Sequence, residues 1–171
     1  MKRQKLMQVL DNYQIKQKIV RLSYEILENN LDESAIILAG INNNGLRFAQ
    51  LLFDTLSEIA PDKKIIISQI KLNPAHPLDF PITTDIDFSS IAESSVIVID
   101  DVANTGRTIF YAFKVFMDVI PKKIEVAVLV DRKHKLFPIK VDYMGLSLAT
   151  TVQENIKADL LQLNSLSVHL N

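Results

Sequence analysis

Two adjacent carboxylates at the end of an apolar run are the residues in this sequence best suited to chemistry. Asp100 and Asp101 directly follow the apolar run at residues 96–99. Ionised carboxylates only accept hydrogen bonds, so an adjacent pair suits the two neighbouring hydroxyl groups of a sugar. The pair therefore indicates a site that binds a diol.

The loop behind the carboxylates has the residues of a phosphate site. Backbone N–H groups between Ala103 and Thr108 precede a predicted helix or lie in its first turn, where they lack partners and the helix dipole favours an anion. Thr105 and Thr108 add hydroxyl donors, and Gly106 lets a phosphate approach the backbone closely. Each element alone also has an ordinary structural explanation: aspartate pairs are common at strand ends, and Thr-Gly before a helix can be only a cap and a turn. In this order, the elements together favour a ribose 5-phosphate site.

The elements that position this turn follow from the hydrophobic pattern. Apolar residues at helical spacing predict helices over residues 12–29, 46–59 and 109–120. Apolar runs predict strands at 35–41, 65–70, 96–99 and 124–130, with further strand pieces at 141–148 and 166–170. Strands that alternate with helices predict an α/β domain with a largely parallel central sheet. Ligands of such folds bind beyond the carboxyl ends of the strands, so the turns at 40–45, 100–108 and 131–138 are the candidate sites.

Length and composition describe a single domain without cross-links. The chain has 171 residues, of which 48% are hydrophobic, and a formal net charge of -1. A chain of this length buries about 68–70% of the surface that it exposes when unfolded, which is enough for one domain over residues 1–171. The absence of cysteine excludes disulfides, cysteine-bound metals and thiol nucleophiles. The balanced charge argues against non-specific nucleic-acid binding as the main activity.

Two further segments bear on location and on access to the site. No apolar run approaches the ~20 residues of a membrane-spanning helix, and the basic start lacks the apolar region of a signal peptide, so we expect a cytoplasmic protein. Residues 71–90 contain three prolines and little periodicity, which predicts an irregular hood or flexible loop.

The segment VIVIDDVANTGRT at residues 96–108 resembles the phosphoribosyl pyrophosphate (PRPP) signature of type I phosphoribosyltransferases. The AGINNNG turn and residues 126–145 are similar to the pyrimidine-operon attenuation regulators of this family, which are also uracil phosphoribosyltransferases, and the likeness runs from about residue 11 to residue 159. The resemblance implies a type I phosphoribosyltransferase-like fold with a small hood. It also implies transfer of the 5-phosphoribosyl group from PRPP to a nucleobase, with uracil favoured, release of pyrophosphate, use of Mg²⁺ and assembly into a homodimer or higher homo-oligomer.

The resemblance assigns a role to each part of the site. Asp100 and Asp101 would contact the ribose hydroxyls, near a substrate-bound Mg²⁺. The residues of the 5-phosphate loop would be Ala103, Asn104, Thr105, Gly106, Arg107 and Thr108. The residues at the pyrophosphate would be Ile41, Asn42, Asn43 and Asn44. Tyr143 and Met144 would hold the base, although strand alternation equally predicts that Tyr143 lies in the core.

Three departures from the family pattern leave a second hypothesis open. Asn44 stands where the family has an arginine, and an amide brings no charge. Residues 71–82 lack the Arg-Asp-Asp pattern, and their only basic residues are Lys71 and His76. Asn104 replaces the aspartate that purine-using members employ as a general base. The alternative is therefore a catalytically weak regulatory module that binds PRPP or a nucleotide.

RNA binding is the least favoured hypothesis. In the first helix, only Arg21 remains of the family's Thr-Arg pair and histidine, and Val20 and Tyr24 occupy the other positions. The basic run at residues 132–135 and Lys140 have the charge to contact phosphates. Clustered lysine and arginine at a surface turn also need no ligand.

Overall fold

Two sheets and three α-helices make up the part of the chain that the computed structural model describes, residues 6–149 and 154–171. The helices are α1 (Asn12–Asn29), α2 (Asn42–Ile59) and α3 (Arg107–Ala112). The strands are β1 (Met7–Leu10), β2 (Ala35–Ile41), β3 (Lys64–Lys71), β4 (Thr83–Thr84), β5 (Ser94–Ala103), β6 (Lys123–Arg132), β7 (Tyr143–Leu148), β8 (Ile156–Asp159) and β9 (Ser167–Leu170). Two 3-10 helices lie at Phe88–Glu93 and Phe113–Phe116.

The main sheet is the largely parallel one that the pattern predicts, which confirms the fold class. Its strand order is β4-β3-β2-β5-β6-β7, and only the β3–β4 pair is antiparallel. All seven residues of β2 are buried, because helices cover both faces of the central strands. One apolar cluster packs under α1 and α2, and a second packs under α3 and the 3-10 helix that follows it.

Helix α1 begins where the sequence predicts. The carboxylate of Asp11 accepts a hydrogen bond from the backbone N–H of Gln14 over 2.8 Å, and the Gln14 side chain accepts one from the Asp11 N–H over 3.0 Å. This capping box satisfies N–H groups that have no partner within the helix.

Helix α2 begins earlier than predicted, since Asn42 follows β2 without a separate turn. Gly40 and Gly45 allow the start of α2 to pack closely against the strand ends. A Cβ atom on Gly45, for example, would lie 2.4 Å from the carbonyl oxygen of Ile99 in β5. Asn42 takes the left-handed conformation with φ of 51°. The three asparagines therefore form the first turn of α2, beside the end of β5, rather than a loop.

Helix α3 is shorter than predicted. Its α-helical part ends at Ala112 and continues as a 3-10 helix to Phe116. Aromatic and β-branched residues are frequent here, and their restricted side-chain rotamers make them weaker helix formers. The helix that follows the carboxylate turn therefore has a smaller dipole than a long helix would have.

A small antiparallel sheet, which we call the hood sheet, is the element that the sequence pattern did not locate. It consists of β1, β9 and β8, in that order, and of these strands only β9 was predicted. The hood sheet is separate from residues 71–90, which the sequence predicts as a hood or flexible loop. Those residues include the short edge strand β4, which pairs with β3 of the main sheet. No helix in the described ranges is long and apolar enough to span a membrane.

Candidate active site

A cleft of about 610 Å³ lies between the carboxyl ends of β2 and β5 and the hood sheet. The predicted site residues that line it come from two turns that are distant in the sequence: Ile41, Asn42, Asn43, Asn44, Asp100, Asp101, Asn104 and Thr108. The parallel sheet brings the two turns together, because β2 and β5 are neighbours and pair as far as Gly40 and Ile99. Asp100 is the first residue of β5 beyond that pairing.

The two carboxylates are held in place by backbone N–H groups. The N–H of Asp101 donates to Asp100 Oδ1 over 2.9 Å, and the N–H of Val102 donates to Asp101 Oδ1 over 2.9 Å. Burial raises the pKa of Asp100, and the neighbouring charge of Asp101 raises it further. Burial also raises the pKa of Asp101, against the opposing effect of hydrogen bonds that include one from Asn44. The remaining carboxylate oxygens are suited to accept hydrogen bonds from a diol or to bind a cation.

Beside the carboxylates lies a concave loop of the size of a single anionic group. Its cavity measures about 40 Å³, and the predicted 5-phosphate residues all line it: Ala103, Asn104, Thr105, Gly106, Arg107 and Thr108. Gly106 has φ of 86°, in the left-handed region that favours glycine. Because α3 has only six α-helical residues, the backbone N–H groups and hydroxyls of the loop matter more here than a helix dipole.

Neighbouring segments brace this loop from behind. The carbonyl oxygen of Thr105 accepts hydrogen bonds from the N–H groups of Leu136 and Phe137, over 3.0 and 3.1 Å. The Arg107 guanidinium donates to the carbonyl oxygen of Pro74 over 2.8 Å. Arg107 therefore contributes its backbone to the loop, while its side chain connects the loop to residues 71–82.

The three asparagines of the first α2 turn contact different partners. The Asn42 amide oxygen accepts a hydrogen bond from the N–H of Leu72 over 3.0 Å. Asn43 Oδ1 accepts a weaker hydrogen bond from Gln69 Nε2 over 3.4 Å, and the side chain of Asn44 contacts Asp101. The turn is therefore connected to the end of β3 and to the carboxylate pair, and it supplies amides rather than charge.

Sequence reasoning missed the residues that close the cleft from the other side. Arg47 lines it from the second turn of α2, and the hood sheet contributes residues 156–161, which include Lys157 and Asp159. The position of Arg47 was available as a signal, because it lies three residues after Asn44 on a predicted helix. The hood residues gave no comparable signal, because a strand of four residues such as β8 is too short to show a distinctive periodicity.

The two predicted base-binding residues do not line the cleft. Tyr143 is 2% exposed and belongs to the core under α1 and α2, which is the alternative that strand alternation offered. Its hydroxyl donates a hydrogen bond to Glu125 and accepts one from Asn30 Nδ2 over 3.4 Å. Met144 is half-buried and packs on the opposite face of the sheet. The side chain of Tyr143 fills the core, so it is not available to stack on a base.

The buried hydroxyl of Tyr143 should make the fold sensitive to alkali. Burial raises the pKa of Tyr143 above its ordinary value, and the hydrogen bond to Glu125 raises it further. Above about pH 10 the unfolded chain ionises this tyrosine while the folded chain does not, so stability should fall as the pH rises. We expect Tyr143→Phe to flatten this decline in urea-unfolding curves between pH 9 and 11, relative to the exposed control Tyr13→Phe. Equal slopes in the two variants would contradict the expectation.

Most of the basic residues considered for RNA binding have partners within the protein. The Arg21 guanidinium donates to the carbonyl oxygens of Met144 and Gly145, over 3.0 and 2.9 Å. Lys135 lies 2.5 Å from the Asp131 carboxylate, and Lys140 lies 3.1 Å from that of Asp142. Internal contacts therefore account for Arg21, Lys135 and Lys140 without an RNA ligand.

A phosphoribosyl transferase domain model matches residues 6–161, which is most of the chain. The chain belongs to the phosphoribosyltransferase family. It is 33% identical over 158 residues to the bifunctional protein PyrR of Ligilactobacillus salivarius, with 87% of this chain and 88% of the relative covered. It is 34% identical over 161 residues to the bifunctional protein PyrR of Bacillus mycoides, with 89% of each chain covered.

Solved structures support the phosphoribosyltransferase fold. A hypoxanthine-guanine phosphoribosyltransferase of Bacillus anthracis matches with a TM-score of 0.72 and 16% identity, over 94% of this chain and 95% of that one. A hypoxanthine phosphoribosyltransferase of Trypanosoma cruzi matches with a TM-score of 0.72 and 14% identity, over 95% of this chain and 90% of that one. At these identities the likeness concerns the phosphoribosyltransferase fold and not the base used.

Proposed function

We propose that this phosphoribosyltransferase moves the 5-phosphoribosyl group from PRPP to a nucleobase, with uracil as the preferred acceptor. The observation that carries the proposal is the juxtaposition of Asp100 and Asp101 with the small loop cavity beside them. Asp100 lines both the cleft and the loop cavity, so the two are adjacent, as the diol and the 5-phosphate of one ribose require. The likeness to the bifunctional PyrR proteins supports a pyrimidine base.

The reaction moves the 5-phosphoribosyl group, through its anomeric carbon, from an oxygen of pyrophosphate to a nitrogen of the base. A ring nitrogen of the base forms a bond to the anomeric carbon of the ribose, and the bond from that carbon to pyrophosphate breaks with its electron pair leaving on oxygen. The ring nitrogen loses its proton to solvent. The ribose carries positive charge in the transition state, so the carboxylates of Asp100 and Asp101 face the developing cation. The hood sheet covers one side of the cleft and would limit the access of water to the anomeric carbon, where water would hydrolyse PRPP.

The donor set fits Mg²⁺ held jointly with the substrate. The described residues contain no cluster of three or more His, Cys, Asp or Glu side chains that could enclose a metal alone. The half-buried carboxylates of Asp100 and Asp101 would supply oxygen ligands, and Mg²⁺ commonly binds one or two carboxylates together with substrate phosphates and water. When bound, the ion neutralises charge on the leaving pyrophosphate.

Incubation of the pure protein with Mg²⁺, PRPP and a panel of bases tests the proposal. We expect uracil to release pyrophosphate and yield UMP, and orotate, hypoxanthine and guanine to react more slowly. Asn104, which replaces a possible general base, is the reason to expect weak purine use. Absence of pyrophosphate release with every base would exclude the transferase activity.

A regulatory module is the second candidate, because the first turn of α2 supplies three amides and no charge to the cleft. Such a module would bind UMP or PRPP in calorimetry without turnover.

An RNA-binding role is disfavoured by the internal partners of Arg21 and Lys135. Failure to shift a pyrimidine-leader RNA at low salt would exclude it.

We also propose that the protein forms a homodimer or higher homo-oligomer. Met117 is 72% exposed and Ile120 is 86% exposed, on one apolar surface with Phe113 and Ile124. Exposed apolar patches of this kind are typical of protein interfaces. A monomer mass in light scattering at micromolar concentration would contradict this proposal.

A further inference from the structure

Arg47 occupies a position in the cleft that no assigned role explains. It lies one turn along α2 from Asn43 and Asn44, so it faces the same side of the helix. Its Nε donates a hydrogen bond to the carbonyl oxygen of Leu160 over 2.8 Å. Leu160 is 5% exposed, so the hydrogen bond lies at the buried edge of the hood sheet.

The guanidinium keeps its outer donors free for a ligand. Within the described residues, the two terminal nitrogens of Arg47 have no hydrogen-bond partner, although the side chain is half-buried in the cleft wall. A guanidinium whose Nε is held in place presents the other N–H groups in a planar fork, which matches the spacing of two phosphate oxygens. The geometry is that of a side chain held ready for an oxyanion.

The charge of the cleft points to the same conclusion. The cleft is lined by the carboxylates Asp100, Asp101 and Asp159 and by two cations, Arg47 and Lys157. Lys157 is an exposed residue of β8, whereas Arg47 lies on α2 beside the three asparagines. Among the described residues that line the cleft, Arg47 is therefore the one guanidinium that a pyrophosphate leaving at the α2 end would meet.

We propose that Arg47 binds the pyrophosphate group of PRPP and stabilises it as it leaves. This inference rests on the proposed function, because it assigns the leaving-group end of the same cleft. The Arg47 fork supplies the positive charge that Asn42, Asn43 and Asn44 lack. The hydrogen bond from its Nε to the Leu160 carbonyl oxygen connects the proposed pyrophosphate site to the edge of the hood sheet. When pyrophosphate is bound, one side chain would therefore contact both the leaving group and the cleft wall.

The test measures two ligands that occupy opposite ends of the cleft. With the full-length protein and Mg²⁺, calorimetry gives the Kd of inorganic pyrophosphate and of ribose 5-phosphate, and steady-state kinetics gives KM for PRPP. We expect Arg47→Gln to weaken pyrophosphate binding by about tenfold to a hundredfold, as the loss of charge-assisted hydrogen bonds implies. The KM for PRPP should rise. The Kd of ribose 5-phosphate should stay within about twofold of the wild-type value, whereas the loss of one charge-assisted hydrogen bond would raise a Kd by about tenfold or more.

Two further variants separate charge from structure. Arg47→Lys keeps the charge but loses the fork, so it should show an intermediate loss of pyrophosphate affinity and provides the test if the glutamine variant does not fold. Lys16→Gln, which removes one exposed charge from α1, should match the wild type for both ligands.

The possible outcomes distinguish this inference from the proposed function. Unchanged pyrophosphate affinity in both Arg47 variants, with PRPP still bound, would overturn the role of Arg47 and leave the transferase intact. Equal weakening of pyrophosphate and ribose 5-phosphate would assign Arg47 a purely structural role and also overturn the inference. A wild-type protein that binds neither PRPP nor pyrophosphate would overturn the proposed function itself.

Discussion

Replacement of both Asp100 and Asp101 by asparagine should abolish phosphoribosyl transfer and leave a folded protein that is more resistant to heat than the wild type. The cleft would lose both carboxylates to which we assign the ribose diol and the cationic transition state. Affinity for ribose 5-phosphate should fall by about a hundredfold or more, because each charge-assisted hydrogen bond contributes about 1.5–3 kcal/mol.

The gain in stability follows from the sign of the pKa shifts. Burial raises the pKa of Asp100 and of Asp101, so ionisation at neutral pH is less favourable in the folded chain than in the unfolded chain. An ionised pair with raised pKa values therefore lowers the free energy of unfolding, and two neutral amides remove that effect. Asparagine oxygens can still accept the N–H groups of Asp101 and Val102, which hold this part of β5.

Thermal unfolding and calorimetric titration with ribose 5-phosphate check the two halves of this expectation. The matched control is Asp62→Asn with Asp118→Asn, which removes the same charge from two exposed positions. The control should bind ribose 5-phosphate like the wild type. Ribose 5-phosphate binding that survives in the Asp100 and Asp101 variant would refute the diol assignment, and a lower melting temperature would refute the electrostatic argument.

Gly45→Ala should cause the largest loss of stability of any single methyl group added to α2. A Cβ atom at this position would lie 2.4 Å from the carbonyl oxygen of Ile99 and 3.4 Å from the Cα of Asp100. The neighbouring atoms belong to the backbone of β5 and cannot rotate away, so helix and strand must separate. We expect a loss of at least about 3 kcal/mol, at the upper end for overpacked cores.

Urea unfolding at neutral pH measures this loss, with Asp54→Ala on the exposed face of the same helix as the control. Helix propensity alone predicts that the glycine replacement stabilises the helix by about 1 kcal/mol, so the two arguments give opposite signs. A variant as stable as the wild type would show that α2 shifts at no cost. Any folded fraction should bind ribose 5-phosphate weakly, because the displaced strand end includes Asp100.

The sequence was sufficient for the main sheet, because long apolar runs and their alternation with helices are strong signals. It was also sufficient to place the carboxylates directly before the loop at residues 103–108, since these residues are contiguous. The family resemblance was confirmed by the domain match and by the PyrR relatives. The roles of the individual site residues remain proposals.

The parts that the sequence could not provide depend on contacts between distant segments. Tyr143 illustrates this, because only the packing under α1 shows that its hydroxyl meets Glu125 and Asn30 rather than a base. The hood sheet is a second case, since its short strands become recognisable only when they pair. Arg47 is a third, because its importance follows from the carbonyl oxygen of Leu160, which lies far along the chain.

The pairing of β1 with β9 has a consequence for how the protein acquires its activity as it folds. Met7 pairs with Leu170, which is the least local strand contact in the described chain. Bringing such distant segments together carries a large loop-closure entropy, so we expect the main sheet to form first and the hood sheet afterwards. A folding intermediate would then contain the carboxylates and the phosphate loop in an open groove. Substrate would slow unfolding of the completed cleft without accelerating the steps that build the main sheet.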